Sequence, residues 1–209
     1  NVYLCIKIIN KVILMSKVLV IVDFQKDFYD KENGTLYVNG AENIVDYICN
    51  EIRVGKYNKI ILTLDWHGND DQSFITNGGI WPVHCVQGTD GSKVHPSILN
   101  TIIESRIPFA MFYKGDVYDH EEYGAFENIA ETVVNAITLN NFGKNCPIRI
   151  ESRIEFVVCG LAGDYCVWET FCRLSDFNFK VKPFYDGIAF IGEPFNYEEK
   201  WKEKIGLCC

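Results

Sequence analysis

The sequence is poor in the features that would place it in a membrane, on nucleic acid or in a disulfide scaffold. Its one apolar opening stretch, Asn1–Leu14, is broken by Lys7, Asn10 and Lys11 and is too short to span a bilayer. That stretch also lacks a clear small-residue cleavage site of the kind a secretory signal carries. Lysines and arginines nowhere gather into a stripe, and the formal net charge is −8. Such a surface repels nucleic acid and anionic membranes and leaves a small molecule as the expected partner. There is no Cys-x-x-Cys pair among nine scattered cysteines, an odd number, so zinc knuckles and thioredoxin-like sites are not indicated. Free thiols in a reducing cytoplasm are the expectation. Repeats and low-complexity tracts are missing, as is the Gly-x-Ser-x-Gly elbow of a serine hydrolase, and the four histidines suggest no Ser-His-Asp triad.

What is present is an alternation of strand and helix signals. Val18–Val22 is a continuous β-branched and leucine run suited to a strand buried on both faces. Ala41–Val54 carries Ile44, Val45, Ile48 and Ile52 at helical spacing. Lys59–Leu64, a weaker Pro108–Tyr113, Phe156–Leu161 and Phe179–Tyr185 read as further strands. Phe126–Leu139, Asp164–Leu174 and Glu198–Ile205 read as helices. This order predicts an α/β fold: three layers, α/β/α, around a doubly wound, mostly parallel sheet of Rossmann-like type. Residues 1–14 are read as an N-terminal extension outside the core and 15–209 as one domain. Trp66–Val94 shows little regular pattern, and a loop that long in a compact domain is usually functional. Asn140–Ser152 reads as a polar insertion.

Reactive residues cluster at predicted strand ends. Asp23 follows the first strand, Asp65 the second and Lys114 the third, and Cys166 lies just beyond the fourth. Ligands of open parallel sheets bind outside the carboxyl ends of the strands, so the topology brings these four together. Each alone has a plainer explanation, a turn-forming aspartate or a buried cysteine; their shared placement favours chemistry. Cys166 falls in the first turn of a predicted helix, where free N–H groups and the helix dipole favour a thiolate and a developing oxyanion. Without a histidine base, Lys114 and Asp23 are the candidates to activate it. Asp65 and His67, two apart at a strand end, point to one side, and His84 follows in the same long loop. Two imidazoles and a carboxylate suit zinc or iron with open positions; two unrelated loop histidines are the plainer alternative.

Taken together, Val22–Phe28, Asp65-Trp66-His67, Trp81–Thr89, Lys114-Gly115 and Cys159–Val167 resemble the nicotinamidase branch of the isochorismatase-like hydrolases, over a span from about Lys17 to the last strand. The resemblance implies a catalytic triad of Asp23, Lys114 and Cys166. It implies a divalent metal, zinc foremost with iron or manganese as alternatives, held by Asp65, His67 and His84, with Ser73 close by. It implies an aromatic pocket of Phe24, Trp81 and Tyr123 for a pyridine ring. It further implies a cis peptide between Leu161 and Ala162, with the N–H groups of Ala162 and Cys166 facing an oxyanion. The implied reaction is hydrolysis of nicotinamide to nicotinate and ammonia in NAD salvage, extending to pyrazinamide, in a cytoplasmic enzyme that could form a homo-oligomer. Three places depart from the usual pattern: Gly163 in Ala162-Gly163-Asp164, Gly124 in Tyr123-Gly124-Ala125-Phe126, and Asp70-Asp71 in a loop that often carries Pro and His. The rival readings are a sister amidase of the same superfamily and a non-catalytic binding module of the same fold.

Overall fold

The computed structural model describes residues 16–115, 123–124, 154–177 and 179–206. Five strands form one parallel sheet: β1 (Ser16–Val22), β2 (Lys59–Asp65), β3 (Phe109–Lys114), β4 (Ile154–Gly160) and β5 (Lys180–Ile188), in the order β3-β2-β1-β4-β5. The helices are α1 (Lys26–Tyr29), α2 (Ala41–Val54), α3 (Pro96–Ser105), α4 (Cys166–Asp176) and α5 (Tyr197–Gly206). From β1 the chain steps outward to β2 and β3, then returns to β4 and steps the other way to β5. Parallel connections are right-handed in nearly all proteins, so crossovers that run in opposite directions place helices on both faces, the doubly wound arrangement expected. The direction reverses between β1 and β4, and a crevice opens there at the strands' carboxyl ends.

Burial explains which strands were easy to read. Every residue of Val18–Val22 is 0% exposed, and β4 is buried throughout. Each such aliphatic side chain contributes roughly 1.5–3 kcal/mol. At the sheet edges β3 and β5 are mixed, with Phe109, Tyr113 and Tyr185 exposed, so their pattern is weaker.

The helix α3 was not anticipated. It begins with Pro96 at its first turn, and the His95 ring accepts a hydrogen bond from the Ser97 N–H. Ile98 and Ile102 are fully buried, and Thr101 receives a hydrogen bond from Arg53 of α2. The proline and the Ile98–Thr101–Ile102 spacing were the available signals. The expected extension 1–14, the helix Phe126–Leu139 and the insertion Asn140–Ser152 lie outside the described residues. Among the described residues no helix is long and apolar enough to cross a membrane.

Candidate active site

The strand ends converge as expected. Asp65 and Lys114 are the last residues of β2 and β3 and pair in register. Asp23 leaves β1 with φ of 47°, turned so that its Oδ1 accepts from the Thr63 hydroxyl at 2.7 Å. The Lys114 ammonium lies 2.9 Å from Asp23 Oδ2, touches Asp65 Oδ1, and donates to Cys166 Sγ at 3.6 Å. Asp23 and Lys114 are 0% and 1% exposed.

Their ionisation follows from that crowding. Burial disfavours the charge on Asp23; Lys114 opposes this and Asp65 reinforces it, and the carboxyl is pushed up to about 6. Burial also works against the charge on Asp65, but Lys114, His67 and His84 outweigh it and hold that carboxyl well below the usual range. Lys114 is likewise penalised by burial and rescued by the two carboxylates, which keep it protonated. Burial raises the Cys166 thiol, with Lys114 pulling it down and the two aspartates pushing it further up. The resting arrangement is thus a neutral thiol beside a carboxyl able to take its proton and an ammonium able to hold the anion left behind.

Cys166 opens α4, 8% exposed. The turn before it is held tightly. Ala162 O accepts from the N–H groups of Tyr165 and Val167 at 3.1 Å each, and the Leu161–Ala162 peptide is cis, as the resemblance implied. Asp164 accepts from Ile191 N at 3.0 Å and Gly192 N at 2.7 Å, tying this turn to the loop after β5. Gly163 has a local reason: a Cβ there would lie 2.5 Å from the Phe190 ring. A larger residue fits only if Phe190 moves.

Asp65, His67 and His84 form a second cluster, with donor atoms within 4.8 Å of one another and all three residues buried. Asp65 Oδ2 is 3.8 Å from His67 Nε2 and 3.7 Å from His84 Nε2. Burial disfavours a charged His67, but Asp65 and Asp71 outweigh it and lift that ring to about 9. An imidazole must be neutral to coordinate, so a metal ion here would displace that proton. His67 Nε2 and the Ser73 hydroxyl are buried without hydrogen-bond partners, as atoms waiting for an ion or its water would be. The donor set fits zinc, iron or manganese.

Several residues that the sequence reading passed over hold this cluster in place. Gln25 brackets the Asp65 backbone: its Oε1 accepts from Asp65 N and its Nε2 donates to Asp65 O, both at 2.7 Å. Asp27 accepts from Cys85 N at 2.7 Å, fixing the turn after His84. Gly115 follows Lys114 with φ of 75°, and a Cβ there would sit 2.6 Å from the His67 ring. Gly115→Ala is therefore expected to displace His67 and weaken any divalent-metal binding by this cluster tenfold or more, which titration against a competing chelator would measure. Unchanged affinity would show that the backbone relaxes freely there.

Beside both clusters lies a cleft of about 360 Å³ of empty space, open solvent at its mouth included. Cys166, Ala162, Asp65 and His84 face it, with Trp81, Tyr123, Tyr165 and Phe28 among the rings. Trp81 Nε1 donates to Tyr123 Oη at 3.2 Å, and Trp81 meets Tyr165 edge-on at 5.1 Å between centroids. Phe24, expected in this pocket, is not among its lining residues. It is 1% exposed and packs on Tyr29 and His95, because the chain turns sharply at Asp23 and the short helix α1 presents Phe28 instead. Phe28 and Tyr165 were not foreseen, since a lone aromatic carries no periodic signal.

A doubly wound parallel sheet with a buried Asp-Lys-Cys group at its switch point, beside an Asp-His-His cluster, defines an isochorismatase-like α/β protein. The nicotinamidase/pyrazinamidase of Mycobacterium tuberculosis is 34% identical over 161 residues, covering 74% of this chain and 76% of that one. The chain belongs to the nicotinamidase family. The nicotinamidase of Saccharomyces cerevisiae is 26% identical, over 90% of this chain and 95% of its own. Among solved structures, the pyrazinamidase of Pyrococcus horikoshii in complex with zinc superposes with a TM-score of 0.69 at 26% identity, covering 91% of this chain and 95% of that one. PnC1 from L. infantum in complex with nicotinate superposes with a TM-score of 0.70 at 27% identity, covering 92% and 88%. No protein-family model matches the chain.

Proposed function

We propose that this protein hydrolyses nicotinamide to nicotinate and ammonia, and pyrazinamide likewise, with Cys166 as nucleophile. The observation that carries this reading is the Lys114 ammonium placed between Asp23 and Cys166 at the edge of an aromatic cleft. Asp23 takes the thiol proton while Lys114 holds the thiolate. Sulfur attacks the amide carbon, and the N–H groups of Ala162 and Cys166 receive the oxyanion. Asp23 returns its proton to the leaving ammonia, and a thioester remains. Water then attacks the thioester, losing one proton to Asp23, that proton goes back to sulfur, and the acid leaves and ionises to nicotinate, its proton going to the released ammonia.

Asp65, His67 and His84 would hold a divalent ion, for which zinc is our choice. When bound, the ion supplies a Lewis-acidic point for the pyridine nitrogen and so orients the ring. Trp81, Tyr123, Tyr165 and Phe28 would enclose that ring. Free, buried thiols at Cys49, Cys85, Cys159, Cys166 and Cys172 suit a reducing compartment, and we place the enzyme in the cytoplasm.

The test is ammonia release from nicotinamide and from benzamide, which share shape and reacting group but differ in the ring nitrogen. Zinc-loaded enzyme is expected to favour nicotinamide by ~10²-fold or more in kcat/KM, because a site built for a polar atom rejects an analogue lacking it. No release from nicotinamide would overturn the assignment; equal rates on both amides would overturn the role given to the ring nitrogen.

A further inference from the structure

Resting on the metal site proposed above, we infer that Asp71 is a positioning residue that fixes the ring of His67 and strengthens it as a metal donor. Asp71 is 9% exposed and lies outside the Asp65, His67, His84 cluster. Its two oxygens have separate duties. Oδ1 accepts from Ser73 N at 2.8 Å, which locks the carboxylate in the loop. Oδ2 is 3.0 Å from His67 Nδ1. A carboxylate only accepts, so Nδ1 is the donor in this pair. The far nitrogen, Nε2, is the one that has no hydrogen-bond partner and faces Asp65 Oδ2. Asp71 therefore settles which nitrogen of His67 is presented to the cluster, and lends it negative charge from behind.

The two imidazoles are treated differently. His84 Nδ1 sits 2.8 Å from the Pro82 carbonyl, a neutral acceptor, whereas His67 is backed by a charge. A carboxylate behind a ligating imidazole raises its basicity, and removing such a partner typically costs 10–100-fold in metal affinity. The loop around Asp71 is also held independently: Asn77 Nδ2 donates to the Asp71 backbone oxygen at 2.8 Å. That bond offers a control that loosens the same loop without touching His67.

The experiment measures zinc Kd by competition with a chromophoric chelator in wild type, Asp71→Asn, Asp71→Ala and Asn77→Ala. Asp71→Asn should weaken zinc about tenfold, Asp71→Ala up to about a hundredfold, and Asn77→Ala by less than about twofold. The cobalt-substituted proteins should show ligand-field bands that shift in Asp71→Asn and not in Asn77→Ala. Nitrogen NMR of labelled histidine in zinc-loaded wild type should show a proton on His67 Nδ1 and metal on Nε2, a readout that needs no variant to fold. Zinc affinity unchanged in Asp71→Asn, an equal loss in Asn77→Ala, or metal on Nδ1 would each overturn the inference. Failure of the wild type to bind zinc at one equivalent would instead remove the metal site itself.

Discussion

Replacing Cys166 by alanine is expected to abolish turnover of nicotinamide, a loss of at least ~10⁴-fold in kcat, while the protein remains folded. A loss of that size corresponds to more than about 5 kcal/mol of transition-state stabilisation. It follows from the covalent route proposed above: without sulfur no thioester can form, and neither Asp23 nor Lys114 can replace it. The fold should survive because Cys166 is the first residue of α4 and its side chain borders the cleft, so alanine leaves space continuous with that cleft. Cys172 is the control. It is 1% exposed, lies six residues further along the same helix, and faces the packing side. Cys172→Ala should lower stability by a kcal/mol or so, a typical cost for a small truncation in a core, and leave turnover nearly unchanged. Acid quench followed by mass spectrometry should find a nicotinoyl group on the Cys166 peptide of wild type. Near-normal kcat in Cys166→Ala would mean that sulfur is a bystander and that water is activated some other way.

Lys114→Met should damage stability and catalysis together. The ammonium lies between two buried carboxylates and beside the thiol, so its removal leaves Asp23 and Asp65 facing each other without it. Breaking a buried ion pair by deleting one partner typically costs 3–5 kcal/mol. Asp23, already held up at about 6 by burial, would lose the neighbour that favours its charge and rise further. Cys166 would lose the group that lowers its pKa while both aspartates continue to raise it. The thiolate is then disfavoured, and an Asp23 that stays protonated at assay pH cannot accept the thiol proton, so kcat should fall ~10³-fold or more, about 4 kcal/mol of transition-state stabilisation. Urea unfolding and the pH dependence of Cys166 alkylation measure the two effects separately. A variant as stable as wild type, alkylated at the same pH, would refute this account of the lysine. Lys114→Arg is the sharper comparison: it keeps the charge but presents a planar fork in a space shaped for a point charge, so stability should partly return and turnover much less.

The parts of this molecule that were readable beforehand were those encoded by local repetition. The run Val18–Val22 could only be a central strand, and Ala41–Val54 is a helix whose bounds the structure reproduces to the residue, with Ile44, Ile48 and Ile52 on its buried side. Strand ends mark chemistry in a parallel sheet, so Asp23, Asp65, Lys114 and Cys166 could be nominated from position, and the structure brings them into contact. Edge strands were blurred because most of their residues are partly or fully exposed, and α3 was missed because it follows directly on a long aperiodic loop.

Sequence by itself determined the order of elements, the doubly wound sheet and the reactive set at its carboxyl edge, because hydrophobic periodicity and strand-end placement are properties of consecutive residues. Tertiary structure alone decided which aromatics line the cleft, Phe28 and Tyr165 rather than Phe24, since that depends on a single backbone turn at Asp23. It alone revealed that Gln25, Asp27 and Asp71 brace Asp65, Cys85 and His67, and that Gly115 and Gly163 make room for His67 and Phe190. Those are contacts of one side chain with one partner, often across forty or more residues, as from Gln25 to Asp65 and from Asp27 to Cys85. A hydrogen bond of that kind needs only a donor and an acceptor placed together, leaves no periodic trace along the chain, and becomes visible only when the fold has closed.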